Sequence, residues 1–169
     1  MNLFPFVLIS LIYIFLKYLF TIATPDHLQF FLKPLSLILG FFTSDVGQHI
    51  VDQGYYHEKT HILIDKSCSG FSFFLISFLT FNFFLFHSRL PLLKKFLVVL
   101  GNLVLAYAFS LFVNGFRILS IFYFQEKIVG LSGISSEIVH EGIGIFLYLF
   151  FLIFSFLFIQ KFLEQRNCT

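Results

Sequence analysis

Three short motifs in this chain carry the residue types of acyl-transfer chemistry. Cys68 lies in Lys66-Ser67-Cys68-Ser69-Gly70, immediately ahead of an apolar run. At a helix start, unpaired backbone N–H groups and the positive dipole end favour a thiolate over a thiol, which suits a nucleophile. Asn114 and Arg117 stand three residues apart, a spacing that puts both on one helical face. His140 is followed by Glu141, with Gly142 and Gly144 just beyond, small residues that permit close helix approach. A thiol, an imidazole and a guanidinium supply a nucleophile, a general acid or base, and a cationic donor for a developing oxyanion. Cys68, His140 and Arg117 are therefore the candidate catalytic residues. Asn114 is expected to orient Arg117 or His140, with Ser69, Gly70 and Glu141 in support. Taken singly, each member has an ordinary alternative: a small buried hydrophobe for the cysteine, an interfacial anchor for the arginine, a helix cap for the histidine. The coincidence of the three is what points to catalysis.

A second constellation competes with the first. His57-Glu58-Lys59-Thr60-His61 is a literal H-E-x-x-H, which on a helix would bind zinc through the two histidines while Glu58 activated water. Glu137 or Glu141 would then supply a third ligand. Gly54 and two tyrosines precede the motif and Ile62, Leu63 and Ile64 follow it, so a strand and turn are expected instead, and alternation would not bring His57 and His61 together.

The elements that must position these residues are membrane helices. Of 169 residues 58% are hydrophobic, 12% are charged and 29 are Phe, against roughly 25% charged in a soluble domain. A chain this short has too little core to hide that apolar bulk, which excludes a water-soluble monomer. The apolar runs predict an all-α integral membrane protein, one domain of about five transmembrane helices, with spans at 3–22, 28–43, 71–86, 96–113 (running on to about 124) and 138–162. Pro34 makes 28–43 either a kinked span or a re-entrant helix, and it is read here as a span. The first run has no Lys or Arg ahead of it and no small-residue cleavage site behind it, so it is expected to stay in the mature protein. Residues 44–69 hold four acids, three His and two Lys, and are expected to form an extended hairpin-like loop at the extracytoplasmic surface. The basic residues divide seven to four in this topology, with Lys17, Lys33, Arg89, Lys94, Lys95, Lys161 and Arg166 inside, which sets the N-terminus outside and the C-terminus inside. Cys68, Arg117 and His140 then share the extracytoplasmic face of the cell membrane. Cys168 falls on the opposite face and reads as an exposed thiol.

Ser67-Cys68-Ser69-Gly70, Asn114-Gly115-Phe116-Arg117-Ile118 and His140-Glu141-Gly142-Ile143-Gly144, in that order and each at a span boundary, resemble the motifs of the exosortase and archaeosortase superfamily. The short length resembles exosortase K, and the likeness runs from about Val46 to Phe151. The resemblance implies a membrane-embedded cysteine transpeptidase that cleaves a C-terminal sorting signal of exported proteins through a thioester on Cys68, with His140 and Arg117 as its partners. Its substrates would end in a short motif, a transmembrane segment and a basic tail, and the product would pass to an acceptor nucleophile or to water. No metal or organic cofactor is required by that chemistry. The basic residues form no block, so nucleic acid is not an expected partner. A third class, a non-catalytic Phe-rich subunit or scaffold of a membrane assembly, would use none of these motifs.

Overall fold

The computed structural model describes residues 4–83 and 91–167, and the described residues are mostly helical. Helix α1 spans Phe4–Ile22 and α2 spans Gln29–Thr43, with a 3₁₀ turn Pro25–Leu28 between them. Strands β1 (Gln48–Ile50), β2 (Gly54–His57) and β3 (Ile62–Ile64) follow, then a 3₁₀ turn at Lys66–Ser69 and helix α3 at Phe71–Phe83. Two long helices close the chain, α4 at Leu92–Ser132 and α5 at Ser136–Asn167. Within them, Leu93–Leu131 and Ser136–Lys161 are long and apolar enough to cross a membrane, while α1 contributes a shorter apolar helix, Phe6–Ile22. The end of the expected span 71–86, together with Arg89 and Cys168, lies outside the described residues.

The chain divides into two compact units, Met1–Gly115 and Phe116–Thr169. The first is built around α2, whose Phe31, Leu32, Leu35 and Leu39 are at most 1% exposed. Phe31 meets Phe71 and Phe74 of α3 and Tyr107 of α4 edge-on, the geometry ring quadrupoles favour. Pro34 sits inside α2 without breaking it. Proline lacks the N–H that the carbonyl four residues back would accept, and here the Tyr107 hydroxyl donates to that carbonyl, on Phe30. The orphaned acceptor is satisfied from a neighbouring helix, so α2 continues past Pro34.

Residues 44–69 form a three-stranded antiparallel meander, β1-β2-β3, one strand more than the expected hairpin. Tyr55 pairs with His49 on one side and Ile64 on the other. The meander does not simply lie at the surface, since His57 and Ile64 are fully buried. It runs along α2 and is tied to both ends of it. At the N-terminal end Asp26 accepts from His49 (2.9 Å) and from the Asp52 backbone (3.3 Å). At the C-terminal end Lys59 Nζ donates to the Ser44 carbonyl (2.9 Å), and the Asp45 carboxylate accepts from the Lys59 and Thr60 amides (2.9 and 3.1 Å). The end of α1 joins the same group, because Lys66 Nζ donates to the Ala23 carbonyl at 2.7 Å and Phe20 stacks on Phe71. The sequence reading put the turn at 24–26 and the loop at 44–69 on opposite faces of a bilayer, whereas these bonds gather both beside the Cys68 turn.

In the second unit the C-terminal part of α4 and α5 form a helical hairpin. The expected helix end near 124 gives way to a helix reaching Ser132 and a break at 133–135. Gln125, Glu126 and Lys127 are good helix formers, so polarity alone does not stop the helix. Gly133 does, with φ of 65° in the left-handed region and its N–H donated to the Val129 carbonyl (3.0 Å), an end glycine accepts without strain. The last helix accordingly starts at Ser136 and not at 138. At 41 residues, α4 is about 60 Å long, twice the hydrocarbon thickness.

Candidate functional site

The Cys68 turn is preset from below. Asp65 is its N-cap: one carboxylate oxygen accepts from the Ser67 and Cys68 amides (2.9 and 3.1 Å) and from Ser67 Oγ (2.6 Å). Such a cap satisfies donors that a short turn otherwise leaves open. Gly70 closes it with φ of 69°, and a Cβ there would sit 2.8 Å from Asn114 Cγ, so both the left-handed backbone and the close helix approach require glycine. The Gly70 carbonyl accepts from Ser110 Oγ of α4 (3.0 Å) and from the Phe74 amide (2.9 Å). The Asn114 side-chain amide donates to the Cys68 carbonyl. Helix α4 thus holds the cysteine turn at two carbonyls, those of Cys68 and Gly70.

Two expectations meet this arrangement. Asn114 was expected to orient Arg117 or His140; it is bonded to the cysteine's own backbone. Unpaired amides at the start of the helix after Cys68 were expected to favour a thiolate; of these the Phe71 amide is held by Ser69 Oγ (3.3 Å), and the Ser67 and Cys68 amides ahead of them are held by the Asp65 carboxylate. Cys68 itself is half-buried, with Sγ 3.9 Å from Ser67 Oγ and 4.0 Å from the Leu63 carbonyl. Ser69 is 1% exposed, which makes it part of the turn's packing.

Arg117 and His140 come together in the second unit. They line one pocket of about 230 Å³ with Glu141, Gly144, Ile145 and Tyr148. Arg117 Nη1 donates to the Tyr148 hydroxyl at 2.8 Å, and the guanidinium carbon lies 5.3 Å from the centre of that ring, within cation–π range. Nε of Arg117 is buried and has no hydrogen-bond partner among the described residues, a state that costs about 1–3 kcal/mol until an acceptor arrives. His140 and Glu141 are exposed. Of the two glycines read as helix-approach residues, Gly144 meets the Arg117 side chain, while nothing lies within 4 Å of a Cβ at Gly142.

The H-E-x-x-H residues adopt strand, turn and strand, as their neighbours in sequence predict. His57 ends β2 and His61 sits in the following turn with φ of 53°. His57 Nδ1 donates to the Asp45 carbonyl (3.0 Å), and Nε2 is hydrogen-bonded to Ser36 Oγ (2.9 Å). The two ring nitrogens are thus engaged inside the protein, and His61 Nδ1 instead meets the Tyr56 hydroxyl at 3.1 Å. Among the described residues no group of three His, Cys, Asp or Glu side chains is placed to hold a metal ion. Ser36, His57 and Asp45 have the residue types of a hydrolase triad, but they are 5%, 0% and 3% exposed and join the meander to α2.

Asp65, Ser110 and Tyr148 escaped the sequence reading. Asp65 carried a signal, an Asp directly before a short polar turn, which is an N-cap pattern. Tyr148 carried a fainter one, since His140, Gly144 and Tyr148 recur every four residues along one helical face. No family model, curated protein or solved structure matches the chain.

Proposed function

We propose that this protein is a membrane-embedded cysteine transpeptidase that cleaves the C-terminal sorting segment of exported proteins, as its three motifs imply by resemblance. Cys68 attacks a backbone carbonyl just outside the substrate's own apolar segment and forms a thioester, expelling the amine. His140 protonates the leaving amine and later deprotonates the incoming nucleophile, while Arg117 stabilises the tetrahedral oxyanion. The observation that carries the reading is the bond from Asn114 to the Cys68 carbonyl. It ties the cysteine motif to the first residue of the Asn-x-x-Arg motif, a partner 46 residues on in the chain.

In the membrane, α1, α3, α4 and α5 are the crossing helices in this proposal, and α2 lies with the meander at the interface. The bonds from both ends of α2 to one meander support that assignment, because the open strand edge of β1, exposed along its length, has no place in lipid. Four crossings put both termini on one face. Lys17 and Lys33 then move to the face of Cys68, leaving Arg89, Lys94, Lys95, Lys161 and Arg166 opposite, and the basic residues no longer favour either orientation. The extracytoplasmic placement of Cys68 follows from the chemistry of an exported substrate.

One observation favours a second reading, a non-catalytic membrane subunit: Asp65 caps the cysteine turn with negative charge. The test is processing, in the same cells, of exported proteins that end in a shared motif, an apolar segment and a basic tail. Cys68→Ala should abolish it while the protein inserts and accumulates, and Cys68→Ser should be nearly as inactive, since an unassisted alcohol is little ionised near neutral pH. Processing at the wild-type rate by Cys68→Ala at normal level would establish the second reading.

A further inference from the structure

We propose that Tyr148 is a positioning residue for Arg117, and that the pocket these two form with His140 binds a carboxylate through the Nε edge of the guanidinium. The geometry of the second unit carries this on its own; only the pocket's part in acyl transfer rests on the reading above. His140, Gly144 and Tyr148 form a single stripe along α5, and Arg117 crosses it at the glycine. A Cβ at position 144 would already stand 3.5 Å from Arg117 Cδ, so any longer side chain there would displace the arginine stem. Beyond the glycine, Tyr148 holds the guanidinium in two ways, by the 2.8 Å bond from Nη1 and by its ring face at 5.3 Å.

With Nη1 donating to Tyr148, the edge that carries Nε and Nη2 keeps two parallel N–H bonds, which match the two oxygens of a carboxylate. Nε on that edge is buried without a partner among the described residues. Glu141 lines the pocket yet makes no ion pair within 4.0 Å of Arg117 among the described residues, so the guanidinium is not neutralised from within. The volume of about 230 Å³ admits a carboxylate with the atoms that bear it. Clamping the flexible arginine in advance lowers the ordering cost of binding.

The experiment uses the full chain in lipid nanodiscs with ¹⁵N-labelled arginine. Three arginines, Arg89, Arg117 and Arg166, are present, and the signal missing from Arg117→Lys identifies its Nε–H. Acetate, added against equal chloride, should shift that signal saturably. Tyr148→Phe keeps the ring and loses the hydroxyl, and should weaken the response about tenfold; Tyr148→Leu, losing both contacts, should weaken it further. An unresponsive wild-type signal, or a response to inorganic phosphate and none to acetate, would overturn the carboxylate site. A Tyr148→Phe response equal to wild type would overturn the clamp. The titration is read without turnover, so a processing-competent Cys68→Ala protein would sink the transpeptidase reading and leave this site standing, whereas an unmoved Nε–H in a protein that processes would do the reverse.

Discussion

Around the meander His57, Asp45 and Ser36 are nearly sealed from solvent, and each meets a partner on another element. In the α4–α5 hairpin Arg117 keeps a buried Nε with no partner among the described residues, and His140 and Glu141 face outward. Polar groups that are buried and paired hold elements in register, because breaking any one leaves another unsatisfied. Polar groups buried and unpaired are a standing cost that a ligand can relieve. The comparison assigns structural duty to the H-E-x-x-H histidine and keeps the functional candidates in the hairpin and in the turn that α4 grips.

The largest effect is all-or-none and concerns the meander's place. In a background lacking native cysteines, Thr24→Cys and Val46→Cys should both react with an impermeant thiol reagent from the same side of the membrane, and Lys94→Cys from the other. Labelling of positions 24 and 46 from opposite sides would restore α2 as a crossing. Next in size, Arg117→Lys should slow processing by about 10²-fold to 10³-fold, the usual result of losing one oxyanion donor, with little change in melting temperature. A large fall in stability with unaltered processing would make Arg117 a structural residue like His57.

On the other side of the comparison, Asp45→Ala removes the acceptor for the Lys59 and Thr60 amides and should destabilise the first unit by about 2–4 kcal/mol, read as lowered thermal unfolding in detergent. Glu141→Gln, with its side chain exposed, should change stability by less than about 0.5 kcal/mol. Smallest of all, Gly142→Ala should raise stability by up to about 1 kcal/mol, since an open helical glycine gains only helix propensity and nothing lies within 4 Å of the new methyl.

Composition and run length alone announced a mostly helical chain with helices long and apolar enough to cross a membrane, because apolar content and run length are sums over residues and need no folding to read. The strand-and-turn character of 54–64 was equally legible, from glycine, tyrosines and branched residues at short range. What only the tertiary structure decided concerns partners distant in sequence. Pro34 looked like a kink until Tyr107, 77 residues from Phe30, proved to satisfy the carbonyl that the proline leaves open. Asn114 donates to the carbonyl of Cys68, 46 residues back, a partner that its spacing to Arg117 does not announce. The ties of the meander to both ends of α2, Asp26 meeting His49 and Lys59 meeting Ser44, are contacts that run length cannot encode. Periodicity fixes which residues share a face of one element; which element that face meets depends on chain closure over tens of residues, and a pattern read locally holds no information about it.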